Sequence, residues 1–287
     1  MFELLLAICV VVVVVGIWFF LRLRRVFGGD RLESLADDAA KGRERGERLL
    51  VCFGDSLTLG HHSYNWVSDL EKSEESAGYA VLNAGCNGEL AYNLVQRLES
   101  VTELKPERVT LLVGTNDARA IDNLDAAKVY QKGQKLPQLP DEAFFEANFE
   151  TLLCELESRC DAEVIVVGIP MLGERQGEPV NELVERMNGY MRDRSSAHGM
   201  EFVDLYGALR EHLRGQDTSA GPSYSGSASL RLMMKSVFLR FGFGWSWQRI
   251  AKRNRLLVLT DMIHLNETGG RILLELVRER LSVLNRE

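Results

Sequence analysis

Residues 49–57 read LLVCFGDSL, an apolar run that ends in a glycine, an aspartate and a serine. Five consecutive apolar residues closed by Gly54 predict a short buried strand. Ser56 therefore stands where the chain leaves that strand. Because most serines in such a position only cap a turn or a helix, the stretch predicts a strand more firmly than it predicts a function.

Apolar runs and helical patterns alternate along the rest of the chain. This alternation predicts a parallel sheet that is covered by helices on both faces. Sheets of this kind bind ligands at the carboxyl ends of their strands. The further predicted strands are Ala80–Leu82, Val109–Val113, Glu163–Val167 and Glu201–Val203. The clearest helical patterns cover Asp141–Arg159, Glu178–Ala197 and Glu267–Leu284.

Further polar segments fall at predicted strand ends or just before the last helix. Asn83–Gly88 follows the second strand, and Gly114–Asp117 follows the third. Asp261 precedes His264 by three residues. A serine, a histidine and a carboxylate are the parts of a nucleophilic acyl-transfer site. Each segment also has an ordinary structural interpretation, as a turn glycine, an Asx turn or a solvated histidine near a helix start.

Together, the segments resemble the SGNH (GDSL-type) hydrolase superfamily, which is named after a serine, a glycine, an asparagine and a histidine in this order. The resemblance rests on the Gly-Asp-Ser-Leu context of Ser56 and the Gly-x-Asn-Asp-like context of Asn116. It rests also on the Asp-x-x-His spacing of Asp261 and His264. It covers roughly residues 49–284. It implies a three-layer α/β/α, flavodoxin-like fold with a five-stranded parallel sheet, and an esterase-type activity.

The resemblance implies a role for each candidate residue. Ser56 would be the nucleophile, His264 the general base that accepts its proton, and Asp261 the carboxylate that orients the imidazole. The oxyanion of the tetrahedral intermediate would accept hydrogen bonds from the backbone N–H groups of Ser56 and Gly85. The side-chain amide of Asn116 would be its third donor.

The sequence predicts no cofactor, no metal site and no nucleic-acid partner. His61 and His62 are adjacent, so their side chains diverge on most backbones and make a poor pair of metal ligands. The chain has neither a phosphate-binding loop nor a dinucleotide-binding fingerprint. Its net charge of −7 argues against binding to nucleic acid.

The N-terminal run Leu4–Leu21 contains no charged residue and is long enough for a membrane-spanning helix. A cleaved signal peptide is the alternative, but the run lacks a preceding basic segment and a small-residue cleavage site. We expect residues 1–25 to form an uncleaved transmembrane anchor, residues 26–47 a linker, with or without a short polar helix, and residues 48–287 the hydrolase domain. Three arginines directly after the run predict a cytoplasmic catalytic domain, although a single short anchor can also insert in the opposite orientation.

A long connection, about residues 211–258, separates the fifth predicted strand from Asp261 and indicates an insertion into the domain. The overlapping segment 218–260 carries seven basic residues and five Phe or Trp, but no Asp or Glu. Three interpretations stay open. The segment is an interfacial element that contacts anionic lipid, a lid over an acyl-binding cleft, or an additional helical hairpin with solvated charges.

These observations predict a membrane-anchored serine esterase that hydrolyses carboxylic esters or thioesters through an acyl-enzyme. Lipid-like or short acyl esters, as for a lysophospholipase, are the first expectation for the substrate. A carbohydrate O-acetyl esterase is the alternative within the same superfamily. A catalytically silent membrane scaffold is the alternative of a different class.

Overall fold

The computed structural model describes residues 31–286 and, before them, residues 10, 13, 14, 16 and 17. At its centre lies a sheet of five parallel strands in the order β2-β1-β3-β4-β5. This order is that of a flavodoxin-like sheet, so the predicted five-stranded parallel α/β fold is confirmed. The strands are β1 (Arg48–Gly54), β2 (Tyr79–Gly85), β3 (Arg108–Leu112), β4 (Glu163–Val167) and β5 (Glu201–Val203).

Helices cover both faces of the sheet. Every residue of β3 is buried, and successive side chains of a strand point to opposite faces, so both faces need a covering layer. The helices that precede β4 are α1 (Arg31–Glu44), α2 (Ser56–Leu59), α3 (Trp66–Leu70), α4 (Ala91–Gln96), α5 (Glu99–Thr102), α6 (Thr115–Asp122), α7 (Leu124–Gly133) and α8 (Glu142–Arg159), with a 3₁₀ turn at Glu74–Ser76. Those that follow β4 are α9 (Val180–Ala197), α10 (Leu205–His212), α11 (Gly226–Phe243), α12 (Trp247–Asn254) and α13 (Glu267–Leu284).

The register of the central strands brings the polar segments to one edge of the sheet. Gly54 at the end of β1 pairs with Gly85 on β2 and with Leu112 on β3. Because these strands are parallel, the segments that follow them leave the sheet on the same side. Ser56 and Asn116 therefore lie at the starts of neighbouring helices, at the edge where such sheets bind ligands.

Helix α8 forms where its apolar spacing predicts. The side chain of Asp141 accepts a hydrogen bond from the backbone N–H of Phe144 at 2.7 Å and so caps the first turn. Phe145 and Phe149, one helical turn apart, stack at 5.6 Å between ring centroids and are buried. The helix buries one apolar face in the core.

The segment predicted as a linker contains a helix that packs on the sheet. Helix α1 occupies most of residues 26–47, and it buries Leu35 and Ala39. A Cβ atom at Gly42 would lie 2.5 Å from the Cβ atom of Ala80 on β2, so the helix packs closely on the sheet. A leucine, an alanine and a glycine at positions i, i+4 and i+7 form a narrow contact stripe. The many charged residues around this stripe obscured it in the sequence.

The predicted transmembrane anchor, residues 1–25, lies largely outside the described residues. Within the part of the chain that the structure describes, no helix has both the length and the apolarity to cross a bilayer. The five described residues of the apolar run are helical and exposed. Its four described large apolar side chains are more than half exposed: Val10, Val13, Val14 and Ile17.

The insertion consists mainly of two helices, α11 and α12. The rings of Phe241 and Trp247 join them, with centroids 6.2 Å apart. Helix α12 buries Trp247, Ile250 and Ala251. The insertion is therefore a pair of helices, and α12 packs on the rest of the domain.

Candidate active site

Ser56 is the first residue of α2, directly after the turn that ends β1. A Cβ atom at Gly54 would lie 2.3 Å from the carbonyl oxygen of Leu112 and from the hydroxyl of Thr58, so only glycine fits this turn. The carboxylate of Asp55 accepts the backbone N–H of Leu57 at 2.8 Å and fixes the start of the helix. The Ser56 N–H is among the first amides of the helix, which have no acceptor within it. Only 6% of Ser56 is exposed.

His264 and Asp261 meet Ser56 from the far end of the chain. The Ser56 hydroxyl lies 3.2 Å from Nε2 of His264, and Nδ1 of His264 lies 3.0 Å from a carboxylate oxygen of Asp261. If Nδ1 carries the proton and donates a hydrogen bond to Asp261, Nε2 is left as an acceptor that faces the hydroxyl. This arrangement can deprotonate a serine during attack on an acyl carbon.

The carboxylate of Asp261 is held by its own turn. One of its oxygens accepts the backbone N–H groups of His264 at 2.9 Å and of Ile263 at 3.2 Å. Burial opposes ionisation of Asp261. The nearby charge of His264 and these hydrogen bonds outweigh burial and hold the pKa of Asp261 below its usual value. Met262, between the two, takes a left-handed φ of 74°, which makes the turn tight.

Glu174 fixes the segment that leads into this turn, and sequence reasoning missed it. Its buried carboxylate accepts the backbone N–H groups of Leu257, Val258 and Leu259 at 2.7, 2.8 and 2.5 Å. The three donors come from consecutive residues just before Asp261. A glutamate 83 or more positions away carries no sequence signal for such a contact.

Asn116 lies beside Ser56 at the start of α6. Its side-chain nitrogen donates to the carbonyl oxygen of Glu89 at 2.9 Å and approaches a carboxylate oxygen of Asp55 at 3.4 Å. The hydroxyl of Tyr130 donates to the side-chain oxygen of Asn116 at 2.7 Å. Arg119 in turn donates to that hydroxyl. Sequence reasoning missed this chain from Arg119 through Tyr130, because Tyr130 belongs to α7, outside the recognised segments.

Gly85, predicted as an oxyanion donor, has a different part in the structure. It is the last residue of β2, and its N–H donates to the side-chain oxygen of Asn83 at 3.0 Å. A Cβ atom at Gly85 would lie 2.3 Å from the backbone nitrogen of Leu59, so this glycine is required for packing. The second glycine of the same segment, Gly88, has a positive φ of 73° and directly precedes Glu89, whose carbonyl contacts the Asn116 amide.

Burial dominates the electrostatics around Ser56. It raises the pKa of Asp55 to about 7 and that of Asp117 to about 7. Asp117 accepts the backbone N–H of Ala91, which ties α6 to α4. Burial, together with the charge of His264, lowers the pKa of His62 to about 3. The His62 ring packs edge-on against that of His264 with centroids 5.4 Å apart, so it adds a neutral wall to the site.

One group of described side chains could hold a metal ion by proximity alone. The ligand atoms of Glu150, Cys154 and His198 lie within 4.8 Å of one another, on α8 and just after α9. Arg194 already pairs with both carboxylate oxygens of Glu150, at 2.7 and 2.5 Å. A bound cation would have to displace this ion pair, so the residues present do not fit a metal well.

A parallel sheet with a serine hydrogen-bonded to a histidine, and that histidine hydrogen-bonded to an aspartate, at the carboxyl ends of its strands is the arrangement of a serine hydrolase. The chain belongs to the GDSL-like lipase/acylhydrolase family, whose match covers residues 52–272. It is therefore an enzyme that hydrolyses ester bonds, and the predicted SGNH (GDSL-type) resemblance is confirmed.

Solved structures show the same fold at low sequence identity. An acetylxylan esterase from Geobacillus stearothermophilus is 18% identical, with a TM-score of 0.56 over 82% of this chain and 94% of that chain. LAE5, an α/β hydrolase enzyme from the metagenome of Lake Arreo in Spain, is 16% identical, with a TM-score of 0.55 over 82% of this chain and 95% of that chain. No curated protein matches the sequence.

Proposed function

We propose that the protein is a serine esterase in which Ser56 forms an acyl-enzyme. The observation that carries the proposal is the continuous chain from the Ser56 hydroxyl through His264 to Asp261, at 3.2 and 3.0 Å. As the Ser56 oxygen attacks the acyl carbon, its proton passes to Nε2 of His264 and then to the leaving alcohol or thiol. Water, deprotonated by the same nitrogen, then attacks the acyl-enzyme and releases the acid.

Asn116 is our leading candidate for a side-chain oxyanion donor. One of its N–H groups is held by the carbonyl of Glu89, while the other has only the 3.4 Å contact to Asp55. The weaker contact is the one that an oxyanion can replace. The backbone N–H of Ser56 is the second donor, and we assign the third to Gly88, since the Gly85 N–H already has an acceptor within the protein.

Structural neighbours support these roles by residue type. Variants of the acetylxylan esterase described as catalytic mutants replace a serine, an aspartate or a histidine by alanine. The same three residue types form the chain at Ser56. A silent membrane scaffold would need none of them in hydrogen-bonded order, which argues against that alternative.

A short acyl group is the substrate feature that the site favours. Polar groups lie around the catalytic residues, since the Asn116 amide contacts the Asp55 carboxylate and the His62 ring packs on that of His264. Only 6% of Ser56 is exposed. A nearly buried serine among polar groups suits an acetyl ester better than a long acyl chain. The acetylxylan esterase neighbours make a carbohydrate O-acetyl ester the leading candidate.

Lipid-like esters, such as lysophospholipids, form the second candidate. The apolar run Leu4–Leu21 favours them because an anchored enzyme meets substrates in the bilayer at high local concentration. The transmembrane anchor, lipid contact by residues 218–260 and the cytoplasmic side of the catalytic domain are parts of this proposal. Cys154 is exposed, so a membrane-impermeant maleimide tests the side directly. We expect labelling only after cells are permeabilised. Labelling of intact cells would instead place the catalytic domain outside the cell.

A substrate panel tests the proposal. The panel compares acetylated xylo-oligosaccharide, a soluble acetyl ester and lysophosphatidylcholine, using wild type and Ser56→Ala. We expect kcat/KM to favour the acetyl esters by about tenfold or more, and Ser56→Ala to lose about 10⁴-fold or more in kcat. Ser63→Ala, which removes a nearby buried hydroxyl bonded to the Leu265 carbonyl, serves as the control. Preference for the lysophospholipid would favour the second candidate, and turnover by Ser56→Ala would contradict the mechanism.

A further inference from the structure

Helix α11 exposes a row of large apolar side chains, although Leu232 of the same helix packs against the core. Its buried residues are two serines, Ser229 and Ser236. Leu230, Met234 and Phe238 recur every four residues, with 48%, 65% and 51% of their surfaces exposed. A helix that packs on a protein in water normally buries its large apolar side chains and exposes its serines. The exposed stripe indicates that α11 faces a surface outside the chain.

Two aromatic rings extend this stripe at the end of the helix. Phe243 is 63% exposed, and its ring contacts that of Phe238 edge-on at 5.3 Å between centroids. The glycine after it, Gly244, ends the helix in a left-handed conformation. We name the outward residues Leu230, Met234, Phe238 and Phe243 the apolar stripe.

Basic side chains border the apolar stripe. Arg231 is exposed next to Leu230 on α11, and Lys252 and Arg253 are exposed on α12. The two helices hold their charges close together, because the ammonium group of Lys235 on α11 donates to the side-chain oxygen of Asn254 on α12, the residue after Arg253. Residues 218–260 contain no acid, although the chain as a whole carries −7. Apolar residues flanked by like positive charge complement a bilayer that exposes anionic headgroups.

We propose that the apolar stripe and its basic border form a docking surface for an anionic lipid bilayer. The stripe enters the headgroup region while Arg231, Lys252 and Arg253 contact lipid phosphates. Three basic residues at such a surface attract it electrostatically, and they orient a domain that the proposed anchor holds near the bilayer. The inference deepens the proposed membrane association, and it does not depend on ester hydrolysis.

A hydrogen-bond path connects the docking surface to the catalytic turn. The side-chain oxygen of Asn254 on α12 accepts a hydrogen bond from Lys235 of α11 at 2.8 Å, and its side-chain nitrogen contacts the Ser236 hydroxyl at 3.4 Å. The same Asn254 side chain donates to the carbonyl oxygen of Thr260 at 2.7 Å. Thr260 directly precedes Asp261. The orientation that lipid imposes on α11 and α12 is therefore also imposed on the turn that carries Asp261 and His264.

Oxidation of Met234 measures the docking directly. The full chain is placed, one copy per disc, in nanodiscs of phosphatidylcholine alone or with about 30% phosphatidylglycerol. Hydroxyl-radical footprinting with mass spectrometry then compares Met234 with Met200, a half-buried methionine outside the insertion. We expect at least about threefold slower oxidation of Met234 in the anionic discs, with Met200 unchanged.

Charge variants separate docking from the anchor and from catalysis. Arg231→Gln, Lys252→Gln and Arg253→Gln combined should return Met234 oxidation to its rate in neutral discs. Combined replacement of Lys128, Lys132 and Lys135 by Gln, at exposed sites outside the insertion, should leave the protection intact. Equal oxidation in both lipids, or protection that survives the first variant, would overturn the inference. Hydrolysis of a soluble ester, measured on the same samples, reports the proposed function separately.

Discussion

The catalytic edge and helix α11 place polar and apolar side chains in opposite ways. At the catalytic edge, polar groups are buried, and Asp261, Asn116 and Glu174 each have hydrogen-bond partners inside the chain. On α11, two serines are buried while large apolar side chains are exposed. Buried polar groups with partners indicate a site whose hydrogen bonds are all made within the chain. An exposed apolar stripe indicates a surface that binds another molecule or a membrane.

Among the residues around Ser56, His264 and Asp261, replacement of Asn116 should have the largest effect on catalysis. Asn116→Ala removes a donor that acts mainly on the oxyanion, so kcat should fall by about 10²- to 10³-fold with little change in KM. Asn93→Ala is the matched control, because the Asn93 side chain is also hydrogen-bonded on both sides: it accepts from the Leu90 N–H and donates to the Gln134 carbonyl. Steady-state kinetics on a soluble acetyl ester distinguishes them. A change confined to KM would make Asn116 a substrate-binding residue instead.

Tyr130 should matter less, because it acts through Asn116. Tyr130→Phe removes the hydroxyl that donates to the Asn116 oxygen, and one hydrogen bond of about 1.4 kcal/mol predicts about a tenfold loss of kcat. KM should stay nearly constant. Tyr92→Phe, at a tyrosine that stacks on Phe144, controls for loss of a hydroxyl. Equal losses in the two variants, or none in Tyr130→Phe, would show that Tyr130 does not position Asn116.

Replacement of Asp117 should have a moderate, pH-dependent effect on the unfolding free energy. Its pKa is higher in the folded protein, about 7, than in the unfolded chain. The stabilisation by its bound proton is therefore present below about pH 4 and is lost as the pH rises through about 7. Asp117→Asn keeps an acceptor for the Ala91 N–H and carries no charge. Between pH 5 and 8, its unfolding free energy, measured with urea, should therefore fall by about 1–3 kcal/mol less than that of wild type.

Asp125→Asn is the control for this comparison, because Asp125 is almost fully exposed. It should follow the wild-type pH dependence. If Asp117→Asn did the same, the buried carboxyl would be ionised without cost, and burial would not govern the electrostatics of the catalytic edge.

The apolar stripe should have the smallest effect on chemistry in solution. Combined replacement of Leu230, Met234 and Phe238 by Gln changes exposed side chains, so kcat on a soluble acetyl ester should stay within about twofold. The unfolding free energy should change little for the same reason. A loss of tenfold or more on the soluble ester would instead support the lid interpretation, in which α11 acts directly on the substrate.

Sequence patterns predicted what depends on local spacing. The strands follow from short apolar runs, and Ser56, Asn116, Asp261 and His264 follow from motifs at fixed positions after strands or before a helix. Helix α1 was predicted only as part of a linker, because its contact stripe is three small or apolar residues among charges. Periodicity reports a wide apolar face better than a narrow one.

The residues that support the site could not be predicted from sequence patterns. Glu174 and Tyr130 act over long sequence separations, through contacts that only the folded chain creates. The choice between Gly85 and Gly88 as an oxyanion donor has the same physical origin. Both are glycines of one segment, and only the structure shows that Gly85 is required where β2 packs against α2 and that its N–H already bonds to Asn83.

Labelling with a fluorophosphonate tests the central claim, that Ser56 is an activated nucleophile, most directly. The reagent reacts with a serine only when a neighbouring base removes its proton. The proposed mechanism predicts one adduct per chain, mapped to Ser56 by tandem mass spectrometry. It also predicts that the adduct is lost in Ser56→Ala and His264→Ala and retained in Ser63→Ala. An adduct on another serine, or undiminished labelling of His264→Ala, would contradict it.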